Sequence, residues 1–229
     1  MTLQDRRDPI LPLLDGATAA LVRLSARITG AGEVSVREGL AECTAAGVAD
    51  RWVEELLLQS YLLAGFPRTL NAAREWRRQH PATNPGGEER SAGPSPVPGA
   101  LGAGESYADL LGWRLRGEET CRVVYGPFYE QLRRNIRAMH PSLDEWMLVE
   151  GYGKVLSRPG LDLVRRELCI VAACIAAGQD RQLHSHLHGA RHAGAAPAAL
   201  AATLDSLADI VAATDLHRAR LLLARVVGK

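Results

Sequence analysis

The sequence predicts an all-α protein, and three observations carry that prediction. Ala, Leu, Arg and Glu dominate the chain, and runs of β-branched residues are short. Apolar residues recur at helical spacing, as at Trp52, Leu56 and Leu63. Gly and Pro then fall where such stretches stop and start.

Taken in order, residues 17–29 form one predicted helix and residues 34–46 a second, which Gly47 closes. Asp50 caps a third that ends at Gly65, because Gly65-Phe66-Pro67 breaks it and Pro67 suits the first turn of the next, running towards Arg78. Residues 80–104, HPATNPGGEERSAGPSPVPGALGAG, are crowded with Pro, Gly and Ser and read as a linker. Beyond it come helices from Tyr107 to about Leu115 and from Tyr125 to Met139, then one that Ser142 caps. Arg158-Pro159-Gly160 is a turn, Asp162 caps a helix to Ala177 that Gly178 closes, residues 181–192 form another ending at Gly194, and Pro197 opens the next. The expected organisation is thus an N-terminal helical half (1–79), the linker (80–104) and a C-terminal helical half (105–229). TAAGVADRWVEELL near Gly47 parallels RHAGAAPAALAATL near Gly194. A fused tandem of one helical unit accounts for this, and so does chance similarity of short apolar patterns.

Charge and composition exclude several functions. A net charge of +1 leaves no basic surplus for phosphates or anionic lipid, so no nucleic-acid or membrane partner is expected. The longest apolar run, residues 168–177, is half of the roughly 20 residues a bilayer span needs. The N-terminus mixes acids and bases before a short apolar stretch that Pro12 interrupts, unlike a signal peptide. Cys43, Cys121, Cys169 and Cys174 show neither CxxC nor metal-ligand spacing, which fits reduced structural thiols and a cytoplasmic protein.

Two regions could carry chemistry. Glu167 stands where a helix passes from charged (Arg165, Arg166) to apolar (Leu168, Ile170, Val171), so it either pairs with an arginine or faces a cavity. Four of the seven histidines fall between His184 and His192. His184, His188 and His192 share one helix face and could bind Zn²⁺, but no carboxylate or cysteine follows at a supporting distance, and a solvated histidine face is the plainer reading. His186 points about 160° away from its neighbours, beside Leu183, Leu187 and Ala190. It is the better candidate for a buried acid or base, because imidazole titrates near neutrality.

Arg158-Pro159-Gly160-Leu161, Arg166-Glu167-Leu168, Gly178, His186 and Gly194 follow one another with two eight-residue spacings, from Gly178 to His186 and from His186 to Gly194. This pattern resembles the carboxymuconolactone decarboxylase family, within the alkylhydroperoxidase D-like superfamily. The resemblance implies a helical bundle of that fold, His186 as catalytic proton donor and Glu167 as its helper. Two further family elements, Glu55-Leu56-Leu57-Leu58-Gln59 and Gly65-Phe66-Pro67, stand here in the first half, while Gly39 falls where a first-half histidine would. Each half keeps what the other lacks. A composite pocket, with His186 from the second half and Gly65, Phe66 and Pro67 from the first, is the expectation this split raises.

The activity so implied is cofactor-independent decarboxylation of a small carboxylated lactone or related acid. Arg166 would meet a substrate carboxylate or pair with Glu167. Peroxide reduction, known in the same superfamily, needs a CxxC where this chain has Gln179 and Gln182. A non-catalytic, ligand-binding protein of the same fold is the alternative. The resemblance also implies a homo-oligomer, a trimer or hexamer.

Overall fold

The computed structural model describes residues 11–81 and 107–228. The described part is helical throughout; the exception is an isolated parallel bridge between Leu11 and Ala195, through Leu11 N to Gly194 O (3.1 Å) and Ala196 N to Leu11 O (3.0 Å). Most of the expected linker lies outside the described residues. The chain forms two compact units, Met1–His80 with Leu161–Lys229, and Pro81–Gly160. These units cut across the expected halves, because the helices after Gly160 pack on those before His80.

In the larger unit, α1 (Gly16–Gly30) begins at Asp15, whose Oδ1 accepts from Thr18 N at 2.7 Å. α1 packs along α7 (Leu163–Ala176), itself capped by Asp162, whose Oδ1 accepts from Arg165 N at 2.9 Å. Leu21, Leu24 and Ile28 are buried on one helix, Leu168, Val171 and Ala172 on the other. Each large aliphatic side chain so buried contributes roughly 1.5–3 kcal/mol. Ser25 Oγ donates to Cys169 O at 2.7 Å within this contact, so that buried hydroxyl is satisfied.

α2 (Glu33–Ala45) follows α1, and α8 (Asp180–His192) follows α7. Their C-terminal ends are closed alike. Ala46 N, Gly47 N and Val48 N donate to Glu42 O, Thr44 O and Cys43 O; Ala193 N, Gly194 N and Ala195 N donate to Gly189 O, Arg191 O and Ala190 O. Set in register on Gly47 and Gly194, the two triplets of bonds coincide residue for residue.

α3 (Asp50–Gln79) is not one rod. Gly65 has φ 74° and ψ 165°, a backbone that only glycine adopts readily, and Pro67 opens the second arm. Trp76 Nε1 donates to Glu54 Oε1 at 2.7 Å. In a straight helix those residues would stand about 33 Å apart, so the second arm folds back along the first. The break expected at Gly65 is therefore present. α9 (Pro197–Asp205) and α10 (Ala213–Val227) complete the unit.

The smaller unit holds α4 (Tyr107–Tyr125), a short 3₁₀ turn (Gly126–Phe128), α5 (Tyr129–Met139), α6 (Pro141–Trp146) and a π-helical stretch (Met147–Leu156). α4 runs on past the Leu115 expected from sequence. The residue capping α6 is His140, whose Nδ1 accepts from Ser142 N at 3.1 Å, rather than Ser142 itself. α4 and the π-helical stretch touch backbone to backbone: a Cβ on Gly117 would lie 2.1 Å from Leu148 O, and one on Gly153 would lie 2.2 Å from Trp113 O. Any side chain at either position would force them apart.

Candidate active site

The site grows from the α7–α8 pair. Helical spacing carries Glu167 onto the buried side of α7, and α8 returns antiparallel to present His186 between the buried Leu183 and Leu187. Glu167 is 0% exposed and His186 8%. His186 Nδ1 and Glu167 Oε2 are 2.8 Å apart. Facing an ionised carboxylate, which can only accept, Nδ1 would carry the proton and leave Nε2 for another partner. Glu167 Oε1 is buried and has no hydrogen-bond partner. A buried carboxylate oxygen is costly to leave bare, so Oε1 is the acceptor of the pair still open to a donor.

Arg166, adjacent in sequence, turns the opposite way. It is 0% exposed, and Nη2 donates to Glu55 Oε2 at 2.7 Å, Nη1 to Gln59 Oε1 at 3.2 Å and Nε to Leu161 O at 3.1 Å. Gln59 Nε2 donates back to Arg166 O at 3.0 Å. The Arg166 guanidinium, expected at a substrate carboxylate or on Glu167, thus bonds Glu55 and Gln59 of α3 and the Leu161 carbonyl. The preceding residue, Arg165, binds Asp162 (2.6 Å), Thr18 Oγ1 (2.9 Å) and Asp15 (3.1 Å), and lies 4.4 Å above the Trp52 ring.

The first-half element that reaches α7 is thus the Glu55–Gln59 turn. The Gly65-Phe66-Pro67 corner sits at the tip of the α3 hairpin, where Phe66 is 64% exposed and stacks on Tyr61 at 5.1 Å between centroids. One turn on, Arg68 Nη1 donates to Ala31 O at 2.8 Å, tying the second arm of α3 to the end of α1. A cleft of about 320 Å³ opens there, lined among others by Ile28, Val36, Arg68, Asn71 and Glu75, and by neither member of the dyad.

The other histidines form a row along α8. The His184 and His188 rings meet edge to face at 5.0 Å, and His188 and His192 stand 6.3 Å apart. Among the described residues, no group of three or more His, Cys, Asp or Glu side chains is arranged to hold a metal ion. Gln179 and Gln182 are exposed at the start of α8. Cys174 was not singled out from the sequence, yet it lies close enough to feel the charge of Glu167; burial chiefly, with that charge, pushes its thiol up to about 12. Its place one helical repeat beyond Glu167, on the same face, was the available signal.

Among the described residues, no helix is long and apolar enough to cross a membrane. The chain is 30% identical over 144 residues to Peroxisomal protein 2 of Schizosaccharomyces pombe, a match covering 62% of this chain and 61% of that protein. The chain therefore spans about three fifths of the length of the curated relative it matches. Residues 145–225, which contain the whole α7–α8 pair and the Glu167–His186 dyad, match the model of the Carboxymuconolactone decarboxylase family.

Proposed function

We propose that the protein is a cofactor-independent carboxy-lyase acting on a small carboxylated lactone or related acid, with His186 as the proton donor. The observation that carries this reading is the buried Glu167–His186 pair, 2.8 Å apart, with the second carboxylate oxygen unpartnered. In the reaction the bond from carbon to carboxylate breaks and CO₂ leaves. Its electron pair delocalises through the ring onto the lactone oxygen, and a proton from Nε2 of the His186 imidazolium restores the C–H bond. Glu167 holds Nδ1–H, which fixes the ring and aims Nε2 at the substrate carbon. Solvent then returns the proton.

The test is CO₂ release from a γ-carboxylated butenolide, run in D₂O. Wild-type protein should release CO₂ and place one deuterium on the product, and His186→Gln should lose at least 100-fold, the usual contribution of a positioned proton donor (about 10²–10⁴). Full activity in His186→Gln, or none in the wild type, would overturn the reading.

The cleft beside α1 and α3 favours a second reading, a ligand-binding protein without catalysis. It predicts saturable binding of small acids that His186→Gln leaves unchanged.

A further inference from the structure

The register on Gly47 and Gly194 that overlays the ends of α2 and α8 sets the remaining positions side by side. Gly39 then falls at His186, Ala20 at Glu167 and Ala19 at Arg166. In the other direction, Ala202 falls at Glu55 and Ser206 at Gln59. So α1 and α2 lack the dyad, and α9 lacks the two polar groups that α3 sends across. The place of the missing histidine is filled: Arg27 packs against Gly39, with Nη1 on Glu38 (2.9 Å) and Nη2 on Glu42 (2.6 Å). Where Gln59 would hold a carbonyl of the first helix from α9, Arg23 of α1 instead donates to Ser206 O at 2.5 Å and to Asp209 Oδ1 at 2.6 Å. One set of partners is complete and its twin is closed by arginine.

We propose that Glu55 and Gln59 are positioning residues for the Glu167–His186 dyad, supplied by the first half of the chain to a site whose acting groups lie in the second. This rests on the acid–base role given to the dyad above. The connection is short. Gln59 Nε2 grips the carbonyl of Arg166, and that carbonyl belongs to the peptide whose nitrogen is Glu167's own. A shift of the carbonyl moves the Glu167 Cα with it, two bonds away, because the peptide is planar and stiff. The Arg166 side chain closes the ring of bonds from the other end, joining Gln59 Oε1 and Glu55 to Leu161 O at the turn before α7. Both α3 side chains are buried, so each bond is made away from competing water. Glu55 also balances the Arg166 charge one residue from Glu167, which leaves the His186–Glu167 attraction unopposed.

The experiment is ¹⁵N-edited NMR of the full-length protein, reading the His186 Nδ1–H signal. It is assigned by its absence in His186→Gln. In the wild type this proton should be far downfield and slow to exchange, as a buried N–H held by a carboxylate is. Gln59→Leu should broaden it into solvent exchange or move it upfield, and Glu55→Gln, which keeps the shape, should move it by less. Leu56→Val, on the same turn but without a polar bond to α7, should lower the melting temperature and leave the signal in place. A signal at the wild-type position in folded Gln59→Leu or Glu55→Gln would overturn the proposal, as would an equal displacement in Leu56→Val. The signal does not depend on any substrate. Loss of the signal in Gln59→Leu, in a protein that releases no CO₂, therefore upholds the positioning and removes only the lyase reading.

Discussion

A Cβ placed on Gly39 would lie 2.8 Å from Arg27 Cδ and 3.1 Å from Leu24 Cδ1. Arg27 cannot easily withdraw, because Ser35 holds its guanidinium along with Glu38 and Glu42. Gly39→Ala should therefore destabilise the protein by about 1–3 kcal/mol, the usual cost of overpacking a close-packed site. In an Arg27→Ala background the same change should cost less. Chemical denaturation of the four proteins measures the coupling, and strict additivity would show that Gly39 is not kept small by Arg27.

Arg166 and Glu55 are a buried ion pair, and removing one member strands the other. Arg166→Met should cost about 3–5 kcal/mol, since the Glu55 carboxylate would remain inside without its cation. The double variant Arg166→Met/Glu55→Leu should recover much of that loss. Urea denaturation midpoints decide it: a double variant as weak as the sum of the singles would contradict the pairing.

All four cysteines are free and buried. Burial pushes the Cys43 thiol up to about 12, helped by the Glu42 charge, and raises Cys169 as well. Near neutral pH the sulfurs of Cys43, Cys169 and Cys174 are not thiolates. A disulfide exchange reagent such as DTNB should react with none of them in the native protein within minutes and with all after denaturation. Peroxide reduction should be undetectable, because no low-pKa thiol stands beside His186. Rapid native labelling of Cys174 would overturn this.

The helical class was legible in the sequence because its signals are local. Caps such as Asp162 and breaks such as Gly65 act within a few residues, and the pairing of Glu167 with His186 came from the family resemblance of the segment that holds both. The partner of Arg166 was not legible. Choosing between Glu167, a substrate and Glu55 requires knowing that α3 crosses α7, and no pattern within either segment states that. The surroundings of Gly65-Phe66-Pro67 were not legible for a related reason: the motif marks a backbone break, and where its exposed Phe66 lies depends on how the α3 hairpin folds back. The compact units were illegible too, because a Pro- and Gly-rich stretch marks a change of path without saying which helices rejoin beyond it.

In the smaller unit, Asp144 is buried and accepts from Arg133 Nε and Nη2 (2.9 Å for the latter) and from Arg137 Nη2 at 2.7 Å. The hydrogen bond from Arg133 chiefly, with that from Arg137, holds its carboxyl below the ordinary value of 3.8. A carboxyl lowered on folding stabilises the protein fully above its unfolded value, and that contribution is lost as pH falls through the lower, folded one. Urea midpoints of the transition that reports residues 107–156 should therefore fall with pH in the acid range below about 4, the region where an unfolded Asp takes up its proton. Asp144→Asn should weaken this unit at pH 7 by about 3–5 kcal/mol, because Arg133 would be left buried beside a neutral amide. The variant should also show a flatter slope in the acid range, since the proton taken up differently by folded and unfolded chains is gone. An unchanged acid slope in Asp144→Asn would assign the acid sensitivity to other carboxylates, and a neutral-pH midpoint equal to wild type would show that the pair does not stabilise the unit.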